Sequence, residues 1–419
     1  MELKPGYKQT ELGVIPEEWE VKSLGDCLSA RPNYGINAAA VPYSDKLPVY
    51  IRITDITDDG RFSPDKLVSV KSSDSGNYYL QEGDIVFART GASVGKSYRY
   101  TTNDGELVFA GFLIRVRPDT SKLNSTFLAA YVTTGGYWNW VRVMSMRSGQ
   151  PGINGNEYAQ LPLPLPPLPE QRAIAAALSD VDALIASMDK LIAKKRDIKQ
   201  AAMQELLTAK RRLPGFSGEW EVKSMQSLGY TYGGLAGKTK DDFGAGNARY
   251  IPFMNIMANT VVNSAWLEPV CIGATELQNT ALSGDLFFNG SSETPEEVGF
   301  CAVLLDDIEN LYLNSFCFGF RFKSDAQANG LFFAYWFRCS EGRKAMSVLA
   351  QGATRYNIAK SAFLKLEIPQ PSKAEQTAIA AILSDIDTEI TALEQQRDKT
   401  RLLKQGMMQE LLTGRIRLV

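Results

Sequence analysis

This chain is written twice, and that constrains its fold more than any other feature. Glu18-Trp19-Glu20-Val21-Lys22-Ser23 recurs letter for letter from Glu219 to Ser224, 201 residues later. Gly83-Asp84-Ile85-Val86-Phe87 returns as Gly284-Asp285-Leu286-Phe287-Phe288 at the same offset. Two later segments, Ala173 to Asp182 and Met203 to Thr208, return 205 residues on, at Ala378 to Asp387 and Met408 to Thr413. Self-similarity at a fixed period means one supersecondary design reused. The order is A-B-A′-B′, and the drift from 201 to 205 places about four inserted residues in the second globular half, in the loop after Gly290.

The B segments predict long helices. After the proline run from Pro162 to Pro169 nothing breaks a helix until Pro214, and Ala, Leu, Lys, Gln and Glu dominate. Ile174, Leu178, Val181, Ile185 and Met188 are spaced 4-3-4-3, as are their copies Ile379, Leu383, Ile386, Ile390 and Leu393. That period is a coiled-coil seam. Lys195 and Thr400 interrupt it at equivalent points, and it is expected to resume through Ile198, Ala202 and Leu206, and through Leu403, Met407 and Leu411. Seams of equal length are natural mates. A helix from about Glu170 to Ala209 would be roughly 60 Å long.

The A segments are rich in Gly, aromatic and β-branched residues, with strand-like runs at Val49 to Ile53, Asp84 to Ala88 and Phe112 to Arg117, and turn signals such as Asp59-Gly60 between them. Helical stretches near Thr126 to Val132 and Leu331 to Arg338 make them α+β. Outside a few anchors the two copies diverge, which suggests one task performed on two targets. The chain accordingly divides at 1–165, 166–212, 213–371 and 372–419. Because Arg415 to Val419 matches the segment that leads into the second copy's edge, and that edge's first copy stands at the N-terminus, the two ends are expected to lie close, in a pseudo-twofold arrangement.

Composition removes most chemistry. There is no histidine, so Ser-His-Asp and Cys-His nucleophile systems and His-ligated zinc are excluded. Five cysteines without a C-x-x-C pair read as reduced thiols in a cytoplasm. No apolar run approaches the ~20 residues of a membrane span. Two glycine loops, Gly91 to Ser97 and Gly233 to Thr239, place three residues between glycines where a phosphate-binding P-loop needs four, and read as tight turns. Glu20-Val21-Lys22 echoes a nuclease pattern but belongs to the repeated edge, and no Asn/Asp-Pro-Pro-Tyr/Phe methyltransferase loop exists.

Binding features are better represented. In the first copy Arg52, Arg89, Thr90, Lys96, Tyr98, Arg99, Arg115, Arg117 and Arg147 are candidates. In the second they are Lys238, Lys240, Arg249, Asn255, Asn289, Ser291, Arg321, Arg343, Lys344, Arg355, Tyr356 and Asn357. Arg and Asn read purine edges, while Lys and backbone N–H groups hold phosphates.

The set from Met203 to Thr208, followed by Arg211-Arg212-Leu213-Pro214-Gly215-Phe216-Ser217-Gly218-Glu219-Trp220, resembles the conserved region of type I restriction–modification specificity subunits. So do Pro164-Leu165-Pro166-Pro167-Leu168-Pro169-Glu170-Gln171 and its weaker copy Ile368-Pro369-Gln370-Pro371 to Glu375-Gln376, and the opening Leu12-Gly13-Val14-Ile15-Pro16-Glu17-Glu18-Trp19. The resemblance covers essentially the whole chain. It implies that each A segment is a target recognition domain for one half of a split double-stranded DNA site. The B helices would form an antiparallel coiled coil that sets the gap and docks two modification subunits. The chain would be non-catalytic and hold no cofactor. S-adenosylmethionine, ATP and Mg would sit on partners, restriction subunits included. Asn289-Gly290-Ser291 stands where the first copy has Arg89-Thr90-Gly91, which implies different half-site contacts.

The net charge of −2 fits this division, because partners can clamp phosphates while small domains read bases. The alternative is a coiled-coil scaffold displaying two protein-binding domains without DNA readout. Loss of adenine methylation at one bipartite motif separates the two.

Overall fold

A computed structural model of the chain describes residues 5–146 and 150–418, so Arg147 falls outside the described residues. Two compact units emerge, one comprising Met1–Met188 with Gln396–Val419, the other Asp189–Gln395. The long helices are not units of their own. Leu168–Leu206 and Lys373–Leu411, 39 residues each, are divided between the two units.

Each helix opens where the proline run ends, since proline suits a first turn whose N–H groups have no intrahelical partner. Gln171 and Gln376 complete the start. Gln171 Nε2 donates to Pro166 O at 2.9 Å, and Gln376 Nε2 donates to Pro371 O at 2.7 Å. The helices stop at equivalent left-handed residues, Ala209 at φ 59° and Gly414 at φ 71°.

All the expected apolar positions except Ile198 and Leu403 are buried or half-buried. Ile174, Leu178, Ile185, Met188, Leu206, Ile379, Leu383, Ile390 and Leu411 are buried, and Val181, Ala202, Ile386, Leu393 and Met407 half-buried. Ile192, buried, carries the period onward. Ile198 and Leu403 do not belong to it, being 44% and 59% exposed. Their neighbours Lys199 and Lys404 turn inward instead, Lys199 to Asp387 at 2.6 Å within one unit and Lys404 to Asp182 at 2.7 Å within the other. Arg196 pairs with Glu394 as Lys199 pairs with Asp387, so the helix segments of the second unit run antiparallel.

In the first unit a four-stranded sheet runs Leu28–Tyr34, Leu113–Pro118, Ile85–Ala88, Ser97–Arg99, and in the second Gly229–Gly233, Cys317–Phe322, Leu286–Asn289, Cys301–Val303. The strands of Gly-Asp-Ile-Val-Phe and its copy are buried on both faces. Ile85 and Phe87 join the core that includes the helix residues Ile174 and Leu178, while Val86 and Ala88 face a second core with Ile51 and Phe109. Leu286 and Phe288 against Phe287 repeat this split. Double burial explains why these strands read as continuous apolar runs rather than alternating ones.

A second sheet, Leu107–Phe109, Val49–Ile51, Val68–Val70, Ala40–Pro42, covers that second core in the first unit. The second unit has three strands there, Glu268–Val270, Phe243–Ile251 and Leu311–Leu313. The repeated Glu-Val-Lys-Ser edges pair with the proline strands, Glu20–Ser23 with Pro162–Leu165 and Glu221–Ser224 with Glu367–Gln370. Among the described residues no helix is long and apolar enough to cross a membrane.

Candidate nucleic-acid interface

Each buried strand runs outward into a loop cluster built alike in both units. In the first, the Arg89 N–H donates to Phe112 O at 3.0 Å, and Arg89 O accepts from Ile153 N at 2.9 Å. In the second, the Gly290 N–H donates to Phe316 O at 2.9 Å, and Gly290 O accepts from Ile358 N at 3.1 Å. The counterpart of Arg89 is therefore Gly290, not Asn289. The ladder agrees with the 201-residue offset of the repeat, and the one-residue difference matters because strand side chains alternate faces. Thr90 bridges Gly152, as Ser291 pairs with Asn357.

Both clusters carry a guanidinium, but on opposite partners of the paired segments. Arg89 lies 4.8 Å from the Tyr34 ring centroid. On the segment that pairs with Ser291 and Ser292, Arg355 lies 5.6 Å from the Phe316 centroid, and Asn357 Nδ2 donates to Arg355 O at 3.3 Å. Of the sequence candidates, the structure gathers Arg89 and Thr90 in one cluster and Ser291, Arg355, Tyr356 and Asn357 in the other. Lys240, Arg249 and Lys344 are exposed elsewhere on the second unit. Sequence reading missed Tyr34, Phe112, Phe316 and Gln150, whose side-chain amide lies beside Gly91. Only alignment of the repeats through the strand ladder could have found the phenylalanines.

Four candidates, Tyr98, Asn255, Asn289 and Ser291, are buried, which corrects the expectation that they read bases. Tyr98 donates to Asp104 Oδ2 at 2.6 Å, and burial first and that carboxylate second raise its pKa. Asn255 donates to Asn263 O and Trp266 O at 2.9 and 2.8 Å. Asn289 spans its own loop, from Glu297 O to Phe300 N.

Eight more candidates are engaged internally. Arg117 grips Asp84 through Nε and Nη2 at 2.7 and 2.9 Å, and Arg321 grips Asp285 at 2.9 and 2.7 Å. These hydrogen bonds raise both arginine pKa values. The repeated Gly-Asp is thus a strand-end ion pair. Arg115 is spent on Asn33 and Tyr79 O, Arg52 on Asp55, Arg99 on Glu82 and Ser125. Arg343 holds the carbonyls of Glu296, Val298 and Gly299, and burial together with Arg338 pushes its pKa down to about 10. In the glycine loops Lys96 pairs with Asp58 and Lys238 with Glu276, both at 2.6 Å.

Among the described residues no group of three or more His, Cys, Asp or Glu side chains could hold a metal ion. The Glu20 and Lys22 of the nuclease-like pattern pair with each other at 2.6 Å on an edge strand. All five cysteines are free thiols, Cys271 exposed and the others buried.

The most specific sequence motifs prove structural. Glu170, buried, accepts from Trp19 Nε1 at 3.0 Å and from Arg417 at 2.6 and 2.9 Å. Glu375 accepts from Trp220 at 3.1 Å and from Arg212 at 2.6 and 2.7 Å. Arg212 follows the first helix and Arg417 the second, so the chain's last segment closes its first unit, where Tyr7 also donates to Gly414 O at 3.0 Å.

Fold and loops together define a protein made of two copies of one α+β module, each closed by a pair of helix segments. The model of the type I restriction modification DNA specificity domain matches residues 16–194 and again 219–402, so the chain belongs to that family. It is 27% identical to the putative type I restriction enzyme MjaX specificity subunit of Methanocaldococcus jannaschii, over 98% of this chain and 96% of that one. The MjaVIII specificity subunit of the same organism is 23% identical over 96% and 94%. Two solved structures share the fold. The type I restriction–modification S subunit from M. genitalium has a TM-score of 0.59 at 11% identity, covering 98% of each chain. A chain from a study of assembly and conformational transition in a type I system has a TM-score of 0.57 at 17% identity, covering 96% of this chain and 99% of that one.

Proposed function

We propose that this specificity subunit reads a bipartite, asymmetric double-stranded DNA target, one unit per half-site, and catalyses nothing itself. The observation that carries this reading is the pair of equivalent loop clusters, alike in backbone and different in side chains. Arg89, Tyr34 and Gln150 occupy one, while Arg355, Tyr356 and Asn357 occupy the other. A shared frame with different donors suits two different sets of base edges.

Two clefts related by the repeat support docking of two modification subunits. One, of about 490 Å³, is lined by Gln200, Met203, Gln204, Arg338 and Ser340. The other, of about 460 Å³, is lined by the counterparts Gln405, Met408, Gln409, Thr133 and Gly135. The docked subunits would bring S-adenosylmethionine and methylate adenine, and restriction subunits would add ATP- and Mg-dependent cleavage. The two long helices, paired as an antiparallel coiled coil, would set the distance between half-sites.

Methylome sequencing with and without this gene tests the reading. Loss of N6-methyladenine at one bipartite motif is expected. An unchanged methylome, with no DNA retained by the purified complex, would leave only a protein-binding scaffold. Exchange of residues 24–160 should alter one half of the motif, whereas a change in both halves would overturn the assignment of one unit per half-site.

A further inference from the structure

Two large apolar side chains are presented to solvent at the same place in both units. Phe112 is 60% exposed and Phe316 58%. Each stands at the third position of a four-residue turn closed by one backbone hydrogen bond, Leu113 N to Ala110 O at 2.8 Å and Cys317 N to Asn314 O at 3.1 Å. Each has its own carbonyl held by the outgoing strand, from Arg89 N and Gly290 N. The turns read Ala-Gly-Phe-Leu and Asn-Ser-Phe-Cys, and the phenylalanine alone is common to both.

A single exposed apolar residue needs no explanation. Here the same ring is kept twice, on a turn fixed at both ends, between copies that otherwise diverge. The turns also lie where Arg89 and Arg355 supply positive charge, Arg355 on the Phe316 ring itself. A rigid aromatic beside a guanidinium matches a stacked nucleobase with its phosphate. Phenylalanine is one of the apolar side chains that enter between base steps, and stacking tolerates any base because every base has a π-face.

We propose that Phe112 and Phe316 are stacking wedges, each placing its ring against a base opened from the duplex at its own half-site. This explains why the ring is common to both units while the polar neighbours differ: stacking is independent of sequence, whereas edge readout is not. The proposal rests on the reading of one unit per half-site.

The test uses the full chain assembled with its modification subunits on duplexes carrying the mapped motif, with 2-aminopurine placed in turn at each non-methylated position. Wild type should show enhanced fluorescence at one such position in each half. Phe112→Ala should abolish the signal in one half only, and Phe316→Ala in the other. Each should weaken binding roughly 10- to 100-fold while leaving the footprint in register. Phe112→Trp should restore both signal and affinity, which a merely space-filling role would not achieve. Both side chains are exposed, so thermal denaturation of each variant should match wild type. Alanine variants that keep wild-type fluorescence and affinity on a footprinted site would overturn the wedge alone. A wild-type complex with no footprint on any DNA would overturn the half-site reading and the wedge with it.

Discussion

Trp19 donates its indole N–H to the buried Glu170 carboxylate at 3.0 Å, although 151 residues separate them. Arg417, from the other end of the chain, completes the same carboxylate. Removing one partner of a buried pair leaves an uncompensated charge. Arg417→Ala should therefore destabilise the first unit by roughly 2–4 kcal/mol, and Arg212→Ala the second by a similar amount. Denaturant titration of each variant should show one unit's transition moving and the other's staying. Coincident shifts in both would contradict two separately stapled units.

The polar substitutes in the seam give a second expectation. Leu403→Gln should change stability by no more than about 0.5 kcal/mol, as surface positions do. Leu383→Ala should cost about 2–5 kcal/mol as a core truncation. The double change Lys404→Met with Asp182→Leu should be near neutral, because a pair that stays partly exposed to water contributes little. Urea unfolding of the three variants checks the ranking.

Ala209 occupies the left-handed position that glycine holds at 414. A Cβ there is strained, and glycine is not. Ala209→Gly should stabilise the second unit by about 0.5–1 kcal/mol, read as a higher denaturant midpoint at unchanged slope. A lower midpoint would mean that unfolded-state entropy outweighs the strain.

The repeat-related clefts predict subunit stoichiometry. Gln204 and Gln409 are exposed on their rims. Either Gln204→Trp or Gln409→Trp should reduce the bound modification subunits from two to one, and the pair together to none, as weighed by native mass spectrometry. Two subunits retained on the double variant would place docking elsewhere.

Stability should fall in alkali. Burial raises the hydroxyl pKa of Tyr131 to about 12 and raises those of Tyr98 and Tyr232 further. The folded state holds these protons where the unfolded chain, titrating near pH 10, releases them. Their contribution is complete below pH 10 and is lost as pH rises through the folded values. Melting temperature should be flat in this respect up to pH 9.5 and drop above pH 10, less steeply in Tyr131→Phe.

Much of this was legible before any coordinates. The duplicated motifs, the two long helices and the α+β character of the segments between them rest on local period and composition, which short stretches of chain carry by themselves. The first half of the seam was readable for the same reason. In its second half Ile198 and Leu403 alone depart, because each is followed by a lysine and only the position of the facing segment decides which of the two turns inward. The pairing of Arg89 with Gly290 rather than Asn289 was legible too, since the 201-residue offset that carries Gly83 to Gly284 carries Arg89 to Gly290, and the hydrogen-bond ladder agrees.

By itself, the sequence determined that one module was used twice, that each copy ends in a long helix, and that no histidine chemistry was available. Which cations are free was decided by tertiary structure alone. Arg117 and Asp84 lie 33 residues apart and meet because their strands are neighbours in register, so an arginine that looked available for DNA is consumed within the sheet. The exposed rings of Phe112 and Phe316 likewise became visible only when two turns were superposed through their backbone bonds. Local pattern dictates which elements form. Whether a polar or aromatic side chain is satisfied or left to a partner depends on what distant strands bring beside it.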